Sequence, residues 1–227
     1  MTIKLGINGF GRMGRLAMRV AFDQADIEII QINDPAGDAK THAHLLSFDS
    51  VHGRWHYDVH SDQQHLIIND KKISVTANKN INATDWSNCD VVIEASGKMK
   101  SRMLLQAYLD QGVKRVVVTA PLPTNEGNDV VNIVMGVNHH LYDPNGSITT
   151  IHDITNTQTI IDAVHKDLRR ARACGSSLIP TTTGSAKAIT DIFPELKGKL
   201  NGHAIRVPLT NASLTDCVFE LKRATTV

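Results

Sequence analysis

Residues 3–14 read IKLGINGFGRMG, and the fold follows from them. Ile3 to Asn8 is a short, mostly apolar run that predicts a strand. Gly9-x-Gly11-x-x-Gly14 comes next, and Leu16, Met18, Val20 and Ala21 within LAMRVAFD then predict a helix that buries its apolar face on a sheet. Three glycines alone are a weak signal. Placed between a strand and a helix they form a dinucleotide fingerprint, because a tight turn and close backbone approach let a pyrophosphate rest on the helix N-terminus. Unpaired N–H groups and the helix dipole favour an anion there. Ile27 to Ile32 (IEIIQI) is nearly all apolar, as a parallel strand covered on both faces should be, and it stops at Asn33-Asp34-Pro35. The unit is βαβ. Asp34 lies 20 residues past Gly14, where a carboxylate can accept hydrogen bonds from both adenosine ribose hydroxyls and repel a 2′-phosphate. NAD is therefore expected over NADP; the other reading of Asp34 is a cap on the turn before Pro35.

Outward from this unit, a polar helix is expected at Ala39 to Leu46. Short strands are expected at Trp55 to Val59, His65 to Ile68 and Lys72 to Val75, the last two joined by a turn at Asn69-Asp70, as an antiparallel insertion. Parallel-strand signals return at Val91 to Ala95, Val116 to Thr119 and Ile133 to Val137, with a helix from Ser101 to Asp110 closed by Gly112. Residues 1–145 thus read as a doubly wound α/β domain of Rossmann type. The turn cluster Tyr142-Asp143-Pro144-Asn145-Gly146 marks a boundary. Residues 146–227 read as α+β: strand-like Ser147 to Ile154, a helix from Ser185 to Phe193 stopped by Pro194, and half-buried strands at His203 to Val207 and Leu214 to Leu221.

Composition narrows the function classes. Lys and Arg number 24 against 23 Asp and Glu, a net charge of +1, so no strong field steers the chain to nucleic acid or to anionic lipid. The N-terminus has no apolar h-region and no run of about 18 apolar residues occurs, so neither a signal peptide nor a membrane span is expected, and the cytoplasm is the expected compartment. Cys89, Cys174 and Cys217 are widely spaced and read as reduced thiols. None of the 11 histidines has a metal spacing with Cys or acidic partners beyond the pair His42 and His44, and no metal site is expected.

INGFGRMGR, INDP, FDSVHG, EASG, MGVNH, TTIHDITNTQ, TTTGSAKA, PELKGKLNG and IRVP, in that order, resemble the glyceraldehyde-3-phosphate dehydrogenase family over nearly the whole chain. FDSVHGRW, HKDLRRARACG and NASLTDCVFE look like its arsenic-resistance branch, the ArsJ-associated enzymes. The resemblance implies NAD-dependent oxidation of glyceraldehyde 3-phosphate in a homotetramer, with phosphate as acyl acceptor or, in the arsenic branch, arsenate. It places Phe10, Arg12 and Met13 at the pyrophosphate, Asp34 at the adenosine ribose, and Ser96, Gly97 and Thr119 on the nicotinamide side. Lys79 stands at the adenine end where the family usually has Arg, a point charge in place of a planar fork. His152 matches the catalytic histidine. Thr155, Thr157 and Arg206 match one anion site, and Thr183 with Gly184 the other; hydroxyls, N–H groups and a guanidinium are the donors that a phosphate-sized anion needs.

One departure bears on activity. The family attacks the aldehyde with a cysteine thiolate, activated at a helix N-terminus beside a histidine, in a motif of the form S-x-C-T-T-N-C. Here Asn138 to Gly146 runs directly into Ser147-Ile148-Thr149-Thr150-Ile151-His152, without strand end, nucleophile or helix. The catalytic domain is read as truncated in its later part as well. Cys174 follows Arg169, Arg170 and Arg172, a basic setting, but the resemblance puts it in a loop lining a neighbouring subunit's cofactor site. The expectation is a family member without turnover. The alternatives are a non-catalytic NAD-binding module assembled with a complete homologue, or a decayed gene product with uncovered apolar surface.

Overall fold

The computed structural model describes residues 2–120, 122, 162, 165–173, 175–176, 178–181, 189–190, 192–193 and 204–207. The chain divides into two compact units, Met1–Asp153 with Thr183–Gly202, and Ile154–Thr182 with His203–Val227.

In the first unit β1 (Ile3–Asn8) leads through the glycine turn into α1 (Arg12–Phe22), which buries Gly14, Met18 and Ala21 at helical spacing on one face. Then follow β2 (Ile27–Asn33), α2 (Ala39–Ser47), the two-residue ladder of β3 (Phe48–Asp49) with β4 (Gly53–Arg54), β5 (Val59–Ser61), β6 (His65–Ile68), β7 (Lys71–Thr76), β8 (Val91–Glu94), α3 (Arg102–Leu109) and β9 (Arg115–Val118). Local chemistry sets the helix ends. The Asp38 carboxylate accepts from Thr41 N at 2.8 Å to start α2, the Ser101 hydroxyl caps α3, and Gly112, at φ +95°, closes the turn after it.

One seven-stranded sheet has the order β5-β6-β7-β2-β1-β8-β9, in which β7, β2, β1, β8 and β9 are mutually parallel. The carboxyl ends of β2, β1 and β8 therefore lie side by side, where a parallel α/β sheet places its ligands. One core cluster holds Ile7, Phe10, Met18, Ile32, Leu46 and Leu66, and a second holds Trp86, Val92, Leu105, Tyr108 and Val116.

Two expectations need correction. The antiparallel insertion is β5 and β6 only; β7 pairs antiparallel with β6 yet parallel with β2, Ile32 opposite Val75, and so belongs to the main sheet. The two-residue turn at Asn69 and Asp70, both at positive φ, folds the hairpin back far enough for this. Of the expected strand Trp55 to Val59 only Val59 lies in a strand, as the first residue of β5. The Trp55 N–H donates to Ser47 O at 2.9 Å, in register with the β3–β4 ladder and not with the main sheet, and its ring is buried against Phe22 and Tyr57 with Arg19 over its face.

In the second unit β10 (Ile179–Thr181) pairs antiparallel with β11 (Ala204–Arg206), Ile179 opposite Arg206. β11 falls inside the expected strand. β10 was not expected because Pro180 sits in its middle, a residue tolerated only where a ladder has an open side. A single 3-10 turn at Leu168–Arg170 is capped by Asp167, which also pairs with Arg169 at 2.9 Å, while Arg172 pairs with Asp162 at 2.7 Å. The expected strands Ile133 to Val137, Ser147 to Ile154 and Leu214 to Leu221 lie outside the described residues, as does most of the expected helix Ser185 to Phe193, of which residues 189, 190 and 192 are helical.

Candidate functional site

The three glycines do three different things. Gly9 has φ +90°, and a Cβ there would lie 2.3 Å from the Ser96 nitrogen, so the turn after β1 packs directly on the turn after β8. A Cβ on Gly14 would lie 2.1 Å from Gly9 O, which brings α1 tight against its own turn. Gly11 is exposed, and nothing stands within 4 Å of the position its Cβ would take. As N-cap of α1 it supplies no side-chain hydrogen bond. The first N–H groups of α1 have no partners within the helix, over a space that a side chain on Gly11 would fill. This cradle fits a pyrophosphate.

Asp34, half-buried at the end of β2, caps the turn that follows, one of the two readings made of it. Oδ1 accepts from Ala36 N at 2.8 Å, capping the turn, and Oδ2 accepts from Phe10 N at 2.6 Å, tying the turn to the glycine loop. Each oxygen keeps a further lone pair for a ribose hydroxyl. The Phe10 ring is buried, edge-on to His42, so only its main chain faces the cradle. Arg12 and Met13 sit half-buried in the first turn of α1, and Lys79 is exposed beside Asn78, whose N–H donates to Asn33 Oδ1 at 2.8 Å.

A buried polar network escaped the sequence reading. Glu94, 1% exposed, accepts from Asn8 Nδ2 and the Tyr108 hydroxyl at 2.6 Å each on one oxygen; the other accepts from Ser96 N at 2.8 Å and from the Ser96 hydroxyl. Asn8 Oδ1 in turn accepts from Asn33 Nδ2 at 2.8 Å. Burial, then Glu94, push the Tyr108 phenol up, so it remains a donor. The network joins the ends of β2, β1 and β8 to α3 and positions Ser96; Gly97 follows at φ +69°, exposed. Thr119 N donates to Glu94 O at 3.0 Å. The available signal was a Glu closing the otherwise apolar strand VVIE.

Two family models match the chain. One, described as "Glyceraldehyde 3-phosphate dehydrogenase, NAD binding domain", covers residues 3–102; the other, "Glyceraldehyde 3-phosphate dehydrogenase, C-terminal domain", covers 124–227. The chain belongs to the glyceraldehyde-3-phosphate dehydrogenase family. It is 48% identical to glyceraldehyde-3-phosphate dehydrogenase 3 of Nostoc sp. over 259 aligned positions, which take in all of this chain and 76% of that protein. It is 42% identical to glyceraldehyde-3-phosphate dehydrogenase of Geobacillus stearothermophilus with the same coverage. Members of this family are oxidoreductases; the cofactor is NAD, and the architecture is a Rossmann-type NAD-binding domain followed by the family's C-terminal domain.

Among the family's second-domain positions, Arg206 is half-buried in β11. His152, Thr155, Thr157, Thr183 and Gly184 lie outside the described residues, as do Cys174 and Cys217. Cys89 is buried behind Gly6 and Trp86, and burial pushes its thiol up to about 11. Such a thiol is inert. Among the described residues no group of three His, Cys, Asp or Glu side chains could hold a metal ion, and no helix is long and apolar enough to cross a membrane.

Proposed function

We propose that this chain is a cytoplasmic, NAD-binding member of the arsenic-resistance branch of the glyceraldehyde-3-phosphate dehydrogenase family that does not turn over. In this reading residues 1–145 form the NAD-binding domain and 146–227 the catalytic one. The pyrophosphate rests on the N–H groups around Gly9, Phe10, Gly11, Arg12, Met13 and Gly14. Asp34 takes the adenosine ribose, Lys79 stands at the adenine end, and Ser96, Gly97 and Thr119 border the nicotinamide. Bound NAD supplies a hydride acceptor. Thr155, Thr157 and Arg206 receive one anion of glyceraldehyde 3-phosphate, phosphate or arsenate, and Thr183 with Gly184 the other. The branch assignment rests on FDSVHGRW, HKDLRRARACG and NASLTDCVFE. The subunits associate as the family's homotetramer.

The observation that carries the loss of turnover is the direct junction of Asn145-Gly146 to Ser147 and His152, which omits the S-x-C-T-T-N-C nucleophile. In support, the Nostoc alignment spreads a 227-residue chain over 259 positions, a difference of 32. His152 is left with no thiol to deprotonate, and members of such a catalytic unit are not individually dispensable. Cys89 does not replace the nucleophile, being buried and held as a neutral thiol. The loop around Cys174 is less basic than its sequence suggests, since Arg169 and Arg172 are ion-paired with Asp167 and Asp162.

The test is a thermal melt of the purified chain with and without NAD, beside an assay of NADH formation from glyceraldehyde 3-phosphate with phosphate or arsenate. A ligand that binds only the folded state stabilises it by RT ln(1 + [L]/Kd), about 2.7 kcal/mol at a hundredfold excess over Kd. The expected result is a cooperative melt raised by NAD with no NADH. NADH formation overturns the loss of turnover, and a melt that NAD leaves unmoved overturns the cofactor site.

A further inference from the structure

His42 occupies a place that a leucine would fill at less cost. It stands in the first turn of α2, 3% exposed, and among the described residues neither ring nitrogen makes a hydrogen bond of good geometry, the main chain of Asp34 giving it a weak one. A neutral imidazole carries one donor and one acceptor, and buried groups of that kind are almost always paired. Packing, more than this weak bond, holds the ring. Phe10 meets it edge to face at 5.4 Å, and Gly37 lies directly on it: a Cβ there would come within 3.0 Å of Cε1 and 3.3 Å of Nε2. The two residues that clamp the ring belong to the two loops that Asp34 ties together through Phe10 N.

We propose that His42 is a positioning residue of the adenosine half of the NAD site: its neutral ring is the floor of the Asp34–Gly37 turn, and charging it weakens NAD binding. The inference rests on assigning Asp34 to the ribose. Three charged groups face the ring: Asp34 from the end of β2, Arg15 from α1, and Asp38 from the N-cap of α2 itself. A protonated ring has two N–H donors and no acceptor. The carboxylate of Asp34, which already serves Phe10 and Ala36, is the anion at the ribose position, and a charged ring draws on it in competition with the ribose hydroxyls. Burial keeps the ring neutral near pH 7 and pushes its titration below the ordinary histidine range, partly offset by Asp34. The α2 neighbour His44, two residues on, is exposed and takes no part.

The experiment measures NAD affinity of the full chain by isothermal titration calorimetry between pH 5.5 and 8 for the wild type, H42L and H42Q. The wild type is expected to lose about threefold in affinity between pH 8 and 5.5, the part of a full tenfold coupling, an ordinary size between two equilibria, that a titration below the usual histidine range brings above pH 5.5. Both variants are expected to hold a nearly constant affinity from pH 5.5 to 8, whatever its level. By reciprocity, saturating NAD moves the titration of the His42 Cε1 proton, followed by NMR on the wild type, down by about one pH unit for that full tenfold coupling. This second readout stands even where a variant does not fold. Wild-type affinity independent of pH, the same acid loss in H42L as in the wild type, or a His42 titration that NAD leaves in place overturns the role of His42 while leaving Asp34 intact. Failure of the wild type to bind NAD at pH 8 overturns the assignment of Asp34, and the role of His42 with it.

Discussion

The turn after β1 and the turn after β8 press on each other, a Cβ on Gly9 falling 2.3 Å from the Ser96 nitrogen, and they are held in opposite ways. The first is shaped by missing side chains: Gly9 gives the positive φ, Gly14 gives the close approach, and Gly11 gives open space. The second is shaped by one side chain, the buried carboxylate of Glu94, with donors from β1, from α3 and from Ser96. A glycine's requirement is local and can be read from its neighbours in the chain. A buried carboxylate's requirement is met by groups from 2 to 86 residues away.

Substitutions on the two sides separate these devices. The largest effect is expected for Gly9→Ala, which forces a Cβ onto backbone that cannot yield, at a φ that alanine rarely adopts. A loss of more than about 4 kcal/mol, the exceptional end for single substitutions, should leave little cooperative transition in a thermal melt. Glu94→Gln is expected to cost less, about 2 to 3 kcal/mol, because the amide turns a donor toward either Asn8 and Tyr108 or Ser96 and leaves buried donors unpaired. Urea unfolding measures it; an unchanged midpoint would mean that the network adds nothing beyond its packing. The smallest effect on stability, within about 0.5 kcal/mol, is expected for Gly11→Ala, whose Cβ enters open space. The same change should weaken NAD binding by about tenfold or more, roughly 1.4 kcal/mol, by calorimetry, because that space is the cradle. Equal losses of stability at Gly9 and Gly11 would remove the distinction among the three glycines.

Where the sequence reading failed, the cause was contact with distant chain. Trp55 to Val59 carries strand-forming residues, but the Trp55 N–H is taken by Ser47 and its ring by Phe22, so the edge strand of the main sheet begins only at Val59. β7 joins the parallel sheet because a tight turn at Asn69 and Asp70 delivers it to β2, a neighbour 40 or so residues earlier in the chain. Arg172 reads as part of a basic setting, and its pairing with Asp162, ten residues earlier, is decided only in space. Within the candidate site, Asp34 was legible from its distance to Gly14, whereas its bond to Phe10 N was not.

What the sequence determined by itself was the periodic and the local: the strand, glycine turn and helix at residues 3–22, the apolar second strand and the carboxylate that ends it. These depend on the order of neighbouring residues, which the chain carries whether folded or not. Only the tertiary structure decided that Glu94 is buried with four hydrogen bonds, that β7 lies beside β2, and that the His42 ring is sealed against Phe10 and Gly37. Burial and pairing are properties of what surrounds a group, and that environment exists only after segments far apart in the chain have packed together.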